Sequence, residues 1–150
     1  MQEDLEEYQA FAIHLTAEHR RIAECLRHVE KELQFVGADA PGTLAGVVQS
    51  LTQLRTELSK HFKEEEAGGC LEEAVIHHLA SAAEASRVIH EHPQLLAGLD
   101  TVIEKFTSAG ATDRLLGEIR REFEQFAKQL RAHEAAETRI FQECFGTEAL

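Results

Sequence analysis

The sequence is short of the features that mark secreted, membrane-spanning and disulfide-bonded proteins. Its three cysteines, Cys25, Cys70 and Cys144, form no Cys-x-x-Cys pair, which argues against a disulfide scaffold or a thiolate zinc site and fits a reducing compartment. The first residues include neither a basic nor an apolar stretch, so no signal peptide is predicted. No apolar run approaches the ~20 residues that span a bilayer. We therefore expect a cytoplasmic protein.

Basic residues are few: the chain has 15 Lys and Arg and 27 Asp and Glu, which gives a formal net charge of −12. This charge disfavours the phosphates of nucleic acids and anionic membranes, so we expect neither as a partner. Prolines number only two, and the alternating pattern of strands is missing, which favours helices. With 43% hydrophobic and 28% charged residues, the chain is predicted to form one globular domain, residues 1–150.

Apolar residues recur every three or four positions through four long stretches, as in amphipathic helices. Breaks rich in glycine and alanine separate these stretches. We predict helices over about residues 3–36, 43–66, 81–108 and 113–144, with Thr43 as a cap and a short irregular helical segment at about 70–79. Four long helices with short connections predict an all-α, up-down-up-down antiparallel four-helix bundle.

Polar side chains occupy core positions in all four predicted long helices. In the second helix, the apolar register that includes Leu54 and Leu58 continues to His61 and Glu65, which lie one turn apart on the same face. The registers of the other three helices likewise include a histidine, and the last includes a second His-x-x-x-Glu pair. The full set is His19, His61, Glu65, His92, His133 and Glu137.

These six residues form a repeat, because a single histidine precedes a His-x-x-x-Glu pair in each half of the chain. The two helical hairpins are therefore predicted to be related by a pseudo-twofold axis, which brings four imidazoles and two carboxylates to the centre of the bundle. Two carboxylates buried without a cation would cost roughly several kcal/mol each. The pattern thus predicts a metal centre.

The ligand types narrow the choice of metal. Imidazoles and carboxylates without thiolates suit iron, manganese or zinc. A structural zinc ion is satisfied by about four ligands, so six favour a dinuclear site, with di-iron as the leading candidate. The Glu-x-x-His spacing of ferritin-like bundles is missing, and a haem would leave the two glutamates unexplained.

The remaining histidines and acids near the motifs are predicted to have lesser roles. The histidines outside the set are interpreted as surface residues or as neighbours of the ligands: His14, His28, His77, His78 and His90. The acidic residues Glu64, Glu66 and Glu134 are interpreted in the same way. Tyr8 and Cys144 fall in the apolar registers and are predicted to pack in the core.

The sequence resembles the hemerythrin-like, or HHE cation-binding, family. The resemblance covers nearly the whole chain and rests on four segments: Glu18-His19-Arg20, His61-Phe62-Lys63-Glu64-Glu65-Glu66, Glu91-His92 and His133-Glu134-Ala135-Ala136-Glu137. It implies two non-haem iron ions, bridged by an oxo or hydroxo group, that bind O2 or a related diatomic molecule. The implied ligands are His19, His61, Glu65, His92, His133 and Glu137.

Two departures separate the chain from the hemerythrins that carry O2. The third long helix lacks their His-x-x-x-His pair, because Val88 and Leu96 stand four residues either side of His92. Their last carboxylate is an aspartate five residues after the histidine, where this chain has Thr138, and Glu137 stands at four. One nitrogen ligand fewer leaves an iron more open to water, peroxide or NO, which argues against reversible carriage of O2.

The leading hypothesis is a di-iron protein that binds or senses O2, NO or iron, rather than an enzyme that turns over. One alternative is a redox enzyme at the same centre, such as a ferroxidase, peroxidase or NO reductase. Another is a helical scaffold that zinc stabilises; manganese also fits the ligands. A signalling role would require a separate partner protein.

Overall fold

The computed structural model describes residues 2–36, 41–77, 79–108 and 113–145, which are almost entirely helical. Within these ranges lie five α-helices, α1 (Gln2–Phe35), α2 (Pro41–Gly68), α3 (Cys70–His77), α4 (Ala82–Ser108) and α5 (Asp113–Phe145), and a 3-10 turn, Leu79–Ser81, before α4. The prediction of an all-α chain is confirmed for these residues. In the same ranges, no helix is both long and apolar enough to cross a membrane.

The bounds of α2 extend beyond the predicted ones at both ends. The helix begins at Pro41, which suits a first turn because proline has no N–H to leave unpaired. It ends at Gly68, and Gly69 then adopts a φ of 68°, which glycine tolerates without steric cost. A Cβ on Gly68 would lie 1.9 Å from Cε1 of Phe11, so this glycine also lets α1 pack closely. The side chain of Thr43, the predicted cap, lies outside the described residues.

The long helices pack side by side. α1 packs against α2 and α5, α4 packs against α2 and α5, and the short α3 packs mainly against α4 and α5. Arg120 of α5 donates hydrogen bonds to the carbonyl oxygens of Leu33 and Val36, at 2.8 Å and 2.6 Å, where α1 ends and its carbonyls lack helical partners. At the opposite end of α5, Arg139 pairs with Glu84 of α4.

The buried core consists of two apolar clusters with a polar layer at their boundary. The larger cluster draws on residues 22–33 of α1 and Val36 just after it, 47–62 of α2, 95–102 of α4 and 116–130 of α5. The smaller cluster consists of Ala12, Leu15, Leu71, Ala85, Val88, Ala136, Ile140 and Phe141. Tyr8 and Cys144 are partly buried against the smaller cluster, as predicted for packing residues. The six predicted ligands lie between the two clusters and make up this polar layer: His19, His61, Glu65, His92, His133 and Glu137.

Candidate metal centre

Each long helix contributes to the polar layer from its buried face. Because His61 and Glu65, like His133 and Glu137, are four residues apart on a helix, both members of each pair point in the same direction. These four residues and His92 are at most 1% exposed. His19 is 7% exposed. The structure therefore brings all six sequence-predicted residues together inside the bundle.

The first group of converging side chains consists of His19, His61, Glu65 and Glu137. Nε2 of His19 lies 3.1 Å from Nε2 of His61, which in turn lies 2.7 Å from Oε2 of Glu65. Oε1 of Glu137 lies 3.7 Å from Nε2 of His19. One potential ligand atom from each residue lies within 4.8 Å of all the others, so a single cation could contact the four.

The second group consists of Glu65, His92, His133 and Glu137. Nε2 of His133 lies 2.8 Å from Oε1 of Glu137, and Nε2 of His92 lies 3.4 Å from Oε1 of Glu65. Both carboxylates therefore belong to both groups, and each pair of histidines belongs to only one. Two cations could be held side by side, with the carboxylates between them.

Hydrogen bonding alone does not satisfy this layer. Among the described residues, both carboxylate oxygens of Glu65 and of Glu137 are buried and have no hydrogen-bond partner. The same is true of Nε2 of His92 and of His133, because the short N···O distances are not aligned as hydrogen bonds. Buried polar atoms left unpaired cost about 1–3 kcal/mol each, and more if charged. Since cations would satisfy all of these atoms at once, the residues present fit a metal centre.

Carboxylates on the outer side of the layer orient three of the four imidazoles. Nδ1 of His61 pairs with Glu18 at 3.1 Å, and Nδ1 of His133 pairs with Glu91 at 3.0 Å. Each of these glutamates immediately precedes a predicted ligand histidine on the neighbouring helix. Such a partner holds the proton on Nδ1 and leaves the lone pair of Nε2 facing the centre.

The third oriented imidazole breaks the symmetry of the repeat. Nδ1 of His92 pairs with Glu66, the residue after Glu65, at 3.1 Å. The corresponding residue after Glu137 is Thr138, and among the described residues no carboxylate pairs with Nδ1 of His19. The roles of Glu18 and Glu91 were missed by the sequence analysis, although both stand in segments that resemble the family. Their repeated Glu-His order was the available signal.

An aromatic ring also braces the second group, and the sequence analysis missed it. Phe62 stacks on the imidazole of His92, with ring centroids 4.0 Å apart and an interplanar angle of 8°. It also meets the ring of His133 edge-on at 5.5 Å. Because Phe62 is itself buried in the larger apolar cluster, it restricts how far these two histidines can turn.

The two shared carboxyls have opposite pKa shifts. Burial, and then the charge of Glu65, raises the pKa of Glu137 well above its usual value. Burial alone would raise the pKa of Glu65 too, but the adjacent Glu137, His61 and His92 hold it well below its usual value. In the metal-free layer the two carboxyls thus titrate as a coupled pair.

Burial keeps two of the imidazoles neutral. It lowers the pKa of His19, with help from His61, to about 3, and it lowers the pKa of His133. For His61, burial alone would lower the pKa, but Glu65 and Glu18 leave it raised. Neutral imidazoles are the form that binds metals, so His19 and His133 are in their ligand form at neutral pH.

An open cleft of about 530 Å³ between α1 and α5 reaches the edge of the layer at His19. Glu134 lines the same cleft, next to His133 in the sequence. Burial raises the pKa of Glu134 to about 7, and its Oε1 has no hydrogen-bond partner among the described residues. From the sequence, Glu134 is interpreted as solvated or as a neighbour of the ligands, and in the structure it is a half-buried neighbour.

The described histidines outside the set do not join the layer. His90 is exposed, and its Nδ1 donates a hydrogen bond to the carbonyl oxygen of Ser86 at 2.7 Å. His28 pairs with Glu32 on the exposed side of α1. His14 approaches Glu64 at 3.3 Å, outside the two groups. The side chain of His77 and all of His78 lie outside the described residues.

Comparison with known proteins agrees with this geometry. The family model of the hemerythrin HHE cation-binding domain matches residues 11–145. The chain belongs to this family. No curated protein and no solved structure gave a significant match.

As a member of the hemerythrin HHE family, the chain is a cation-binding helical protein, and the resemblance stated from its motifs is confirmed. The matched region contains all six residues of the polar layer. The buried His and Glu groups fit a metal site of the kind that this cation-binding family implies. The assignment of the six side chains as its ligands stays a prediction.

Proposed function

We propose that this hemerythrin HHE protein binds two iron ions in the polar layer. It either senses iron through this binding or uses the bound ions to bind or sense O2 or NO. The observation that carries the proposal is the sharing of Glu65 and Glu137 between two pairs of histidines. Two groups with common carboxylates suit two ions at short separation, and nitrogen and oxygen ligands suit iron.

Each residue of the layer has a distinct role in this proposal. His19 and His61 would hold one ion, His92 and His133 would hold the other, and the two carboxylates would contact both. When bound, ferrous ions supply electrons to a diatomic ligand. The remaining work falls to the protein: Glu18, Glu66 and Glu91 fix the imidazoles, and the apolar clusters above and below exclude water.

The proposed bundle supports this arrangement. We infer an up-down-up-down order for α1, α2, α4 and α5 within a single domain, because pairs across each interface run in opposite directions along the two helices. On α1 and α2, Glu18 meets His61 and Glu32 meets Ser50. On α2 and α4, Arg55 meets Asp100 and Glu66 meets His92. On α4 and α5, Glu84 meets Arg139 and Lys105 meets Glu122. A cytoplasmic location remains a prediction from the cysteines.

A redox enzyme at the same centre is the second candidate. It is favoured by the cleft between α1 and α5, which gives small molecules a route to His19, and by the carboxyl of Glu134 beside that route. A turnover enzyme needs such access and a nearby group that can exchange protons. A binding or sensing protein needs only the access.

One experiment separates these functions. The iron-loaded, reduced protein is mixed with O2, NO or peroxide in the presence of excess reductant, and consumption of each is followed with time. A binding protein reacts once, in proportion to its iron, and then stops. Continued consumption identifies an enzyme. If the protein takes up only zinc and reacts with none of these molecules, the di-iron proposal fails and the zinc-stabilised scaffold replaces it.

A further inference from the structure

A third His-x-x-x-Glu pair lies outside the polar layer. His14 and Glu18 have this spacing on α1, and Glu64 of α2 lies opposite them. Nε2 of His14 is 3.3 Å from Oε2 of Glu64 and 3.7 Å from Oε1 of Glu18. One potential ligand atom from each of the three residues lies within 4.8 Å of the other two. The spacing matches that of the two buried pairs, whereas the distance from His14 to Glu18 is longer than the 2.7 Å and 2.8 Å within those pairs, and the group has only three residues and lies at the surface.

We propose that His14, Glu18 and Glu64 form an outer site for a divalent transition-metal cation, with zinc as the ion that best suits it. One imidazole and two carboxylates are ligands of intermediate hardness, and zinc accepts three protein ligands with water in the fourth position. The side chain of His14 is 52% exposed, which leaves room for that water. Two helices contribute, so the ion would also tie α1 to α2.

Glu18 links the outer site to the polar layer. The same Oε1 that faces His14 also pairs with Nδ1 of His61, a predicted ligand of the first buried group. A cation on Glu18 would withdraw charge from that hydrogen bond and so weaken the hold of His61 on its own ion. By linkage, filling either site changes the affinity of the other by the same factor.

The side chains around Glu18 also allow a simpler interpretation. Arg21, whose side chain is 58% exposed, approaches Oε2 of Glu18 at 3.4 Å. His14 could also bridge the two carboxylates as part of an ordinary network of polar contacts. The exposed Arg21 can move away from an incoming cation at little cost, because surface ion pairs contribute about 0–1 kcal/mol. Metal binding, not geometry, separates the two interpretations.

The chain contains a matched control on the same helix. His28 and Glu32 of α1 repeat the His-x-x-x-Glu spacing at the surface. Their neighbour on α2 is Ser50, whose hydroxyl donates to Glu32 at 2.6 Å, in the place where Glu64 stands at the outer site. If the third carboxylate is what makes the site, His28 should not hold an ion that His14 holds.

The test counts zinc ions bound per chain by equilibrium dialysis of the full-length protein against micromolar zinc, followed by elemental analysis. Wild type is compared with His14→Ala, Glu64→Gln and His28→Ala. We expect His14→Ala and Glu64→Gln each to bind one ion fewer than wild type, and His28→Ala to match wild type. Both variants should lose the same ion, so the double variant with His14→Ala and Glu64→Gln should also bind one ion fewer than wild type.

Three results would overturn the outer site. They are an unchanged count in His14→Ala, an unchanged count in Glu64→Gln, and an equal loss in His28→Ala, which would mean that any surface histidine binds zinc under these conditions. The comparison uses differences between variants, so ions in the polar layer cancel as long as that layer holds the same metal in every variant. Failure of the outer site would therefore leave the di-iron proposal standing, and the reverse also holds.

Discussion

Replacing Glu137 by methionine should stabilise the metal-free protein while it destroys metal binding. Glu137 is fully buried, and among the described residues neither of its oxygens has a hydrogen-bond partner. Methionine is unbranched, apolar and similar in length, so it can fill the same space. Removing a buried unsatisfied group gains about 1–3 kcal/mol. For a chain of this size, that gain corresponds to a rise in Tm of about 2–12 °C, at about 2–4 °C per kcal/mol.

The same substitution removes a carboxylate from both groups of ligands. Metal that binds only the folded state stabilises it in proportion to the logarithm of its concentration over Kd. Wild type should therefore melt at a higher temperature when metal is added, and Glu137→Met should not. The opposite signs of the two effects distinguish a metal ligand from a residue that merely supports the fold.

The assay is thermal unfolding followed by circular dichroism, on protein stripped with a chelator and then titrated with ferrous iron without oxygen, or with zinc. Glu118→Met is the matched control, because Glu118 lies on the same helix with its side chain 42% exposed. Its Tm should change little, since surface substitutions are worth about ±0.5 kcal/mol. A metal-free Glu137→Met protein that melts below wild type and still responds to metal would refute this account of the layer.

Three further predictions follow from the same contacts. His61→Ala should remove most of the bound metal, whereas His90→Ala, on the exposed side of α4, should not; equal losses by elemental analysis would show that the helix register is wrong. Glu91→Gln should weaken metal affinity by about 10–100-fold in a chelator competition while the fold stays intact, because it removes the charge that orients His133; unchanged affinity would assign Glu91 no positioning role. Burial lowers the pKa of His19 to about 3 from a usual 6.5, so the unfolded chain binds a proton that the folded, metal-free chain refuses. Stability should therefore fall as the pH drops from about 6.5 towards 3, by up to about 1.4 kcal/mol per pH unit for this group, and His19→Gln should reduce that slope in urea unfolding measured across the range.

The burial of the six residues of the polar layer could be predicted from the sequence because helical periodicity and hairpin symmetry act together. A single histidine in an apolar register is weak information, but His19 and His61 stand at similar distances from the break between their helices. Their Nε2 atoms are 3.1 Å apart in the structure. The register that places Leu54 and Leu58 in the core also places His61 and Glu65 there, and all four are buried.

The surroundings of the centre were less accessible to sequence reasoning. Whether Glu66 faces solvent or an imidazole depends on the rotation of α2 against α4, which spacing along one helix does not determine. Phe62 reads as an ordinary apolar residue, and its stacking on His92 depends on the distance between helices. The sequence repeat shows that Thr138 stands where the other half has Glu66. That Glu66 orients His92 is apparent only from the position of Nδ1 of His92 in the structure.

The central claim is that the polar layer holds two iron ions, and metal analysis of protein purified without oxygen tests it most directly. We predict two iron ions per chain, their loss in His133→Ala, and new near-ultraviolet absorption when air is admitted to the reduced wild-type protein. Wild-type protein that contains zinc alone, or that folds with no metal and gains none when iron is supplied, would contradict the claim.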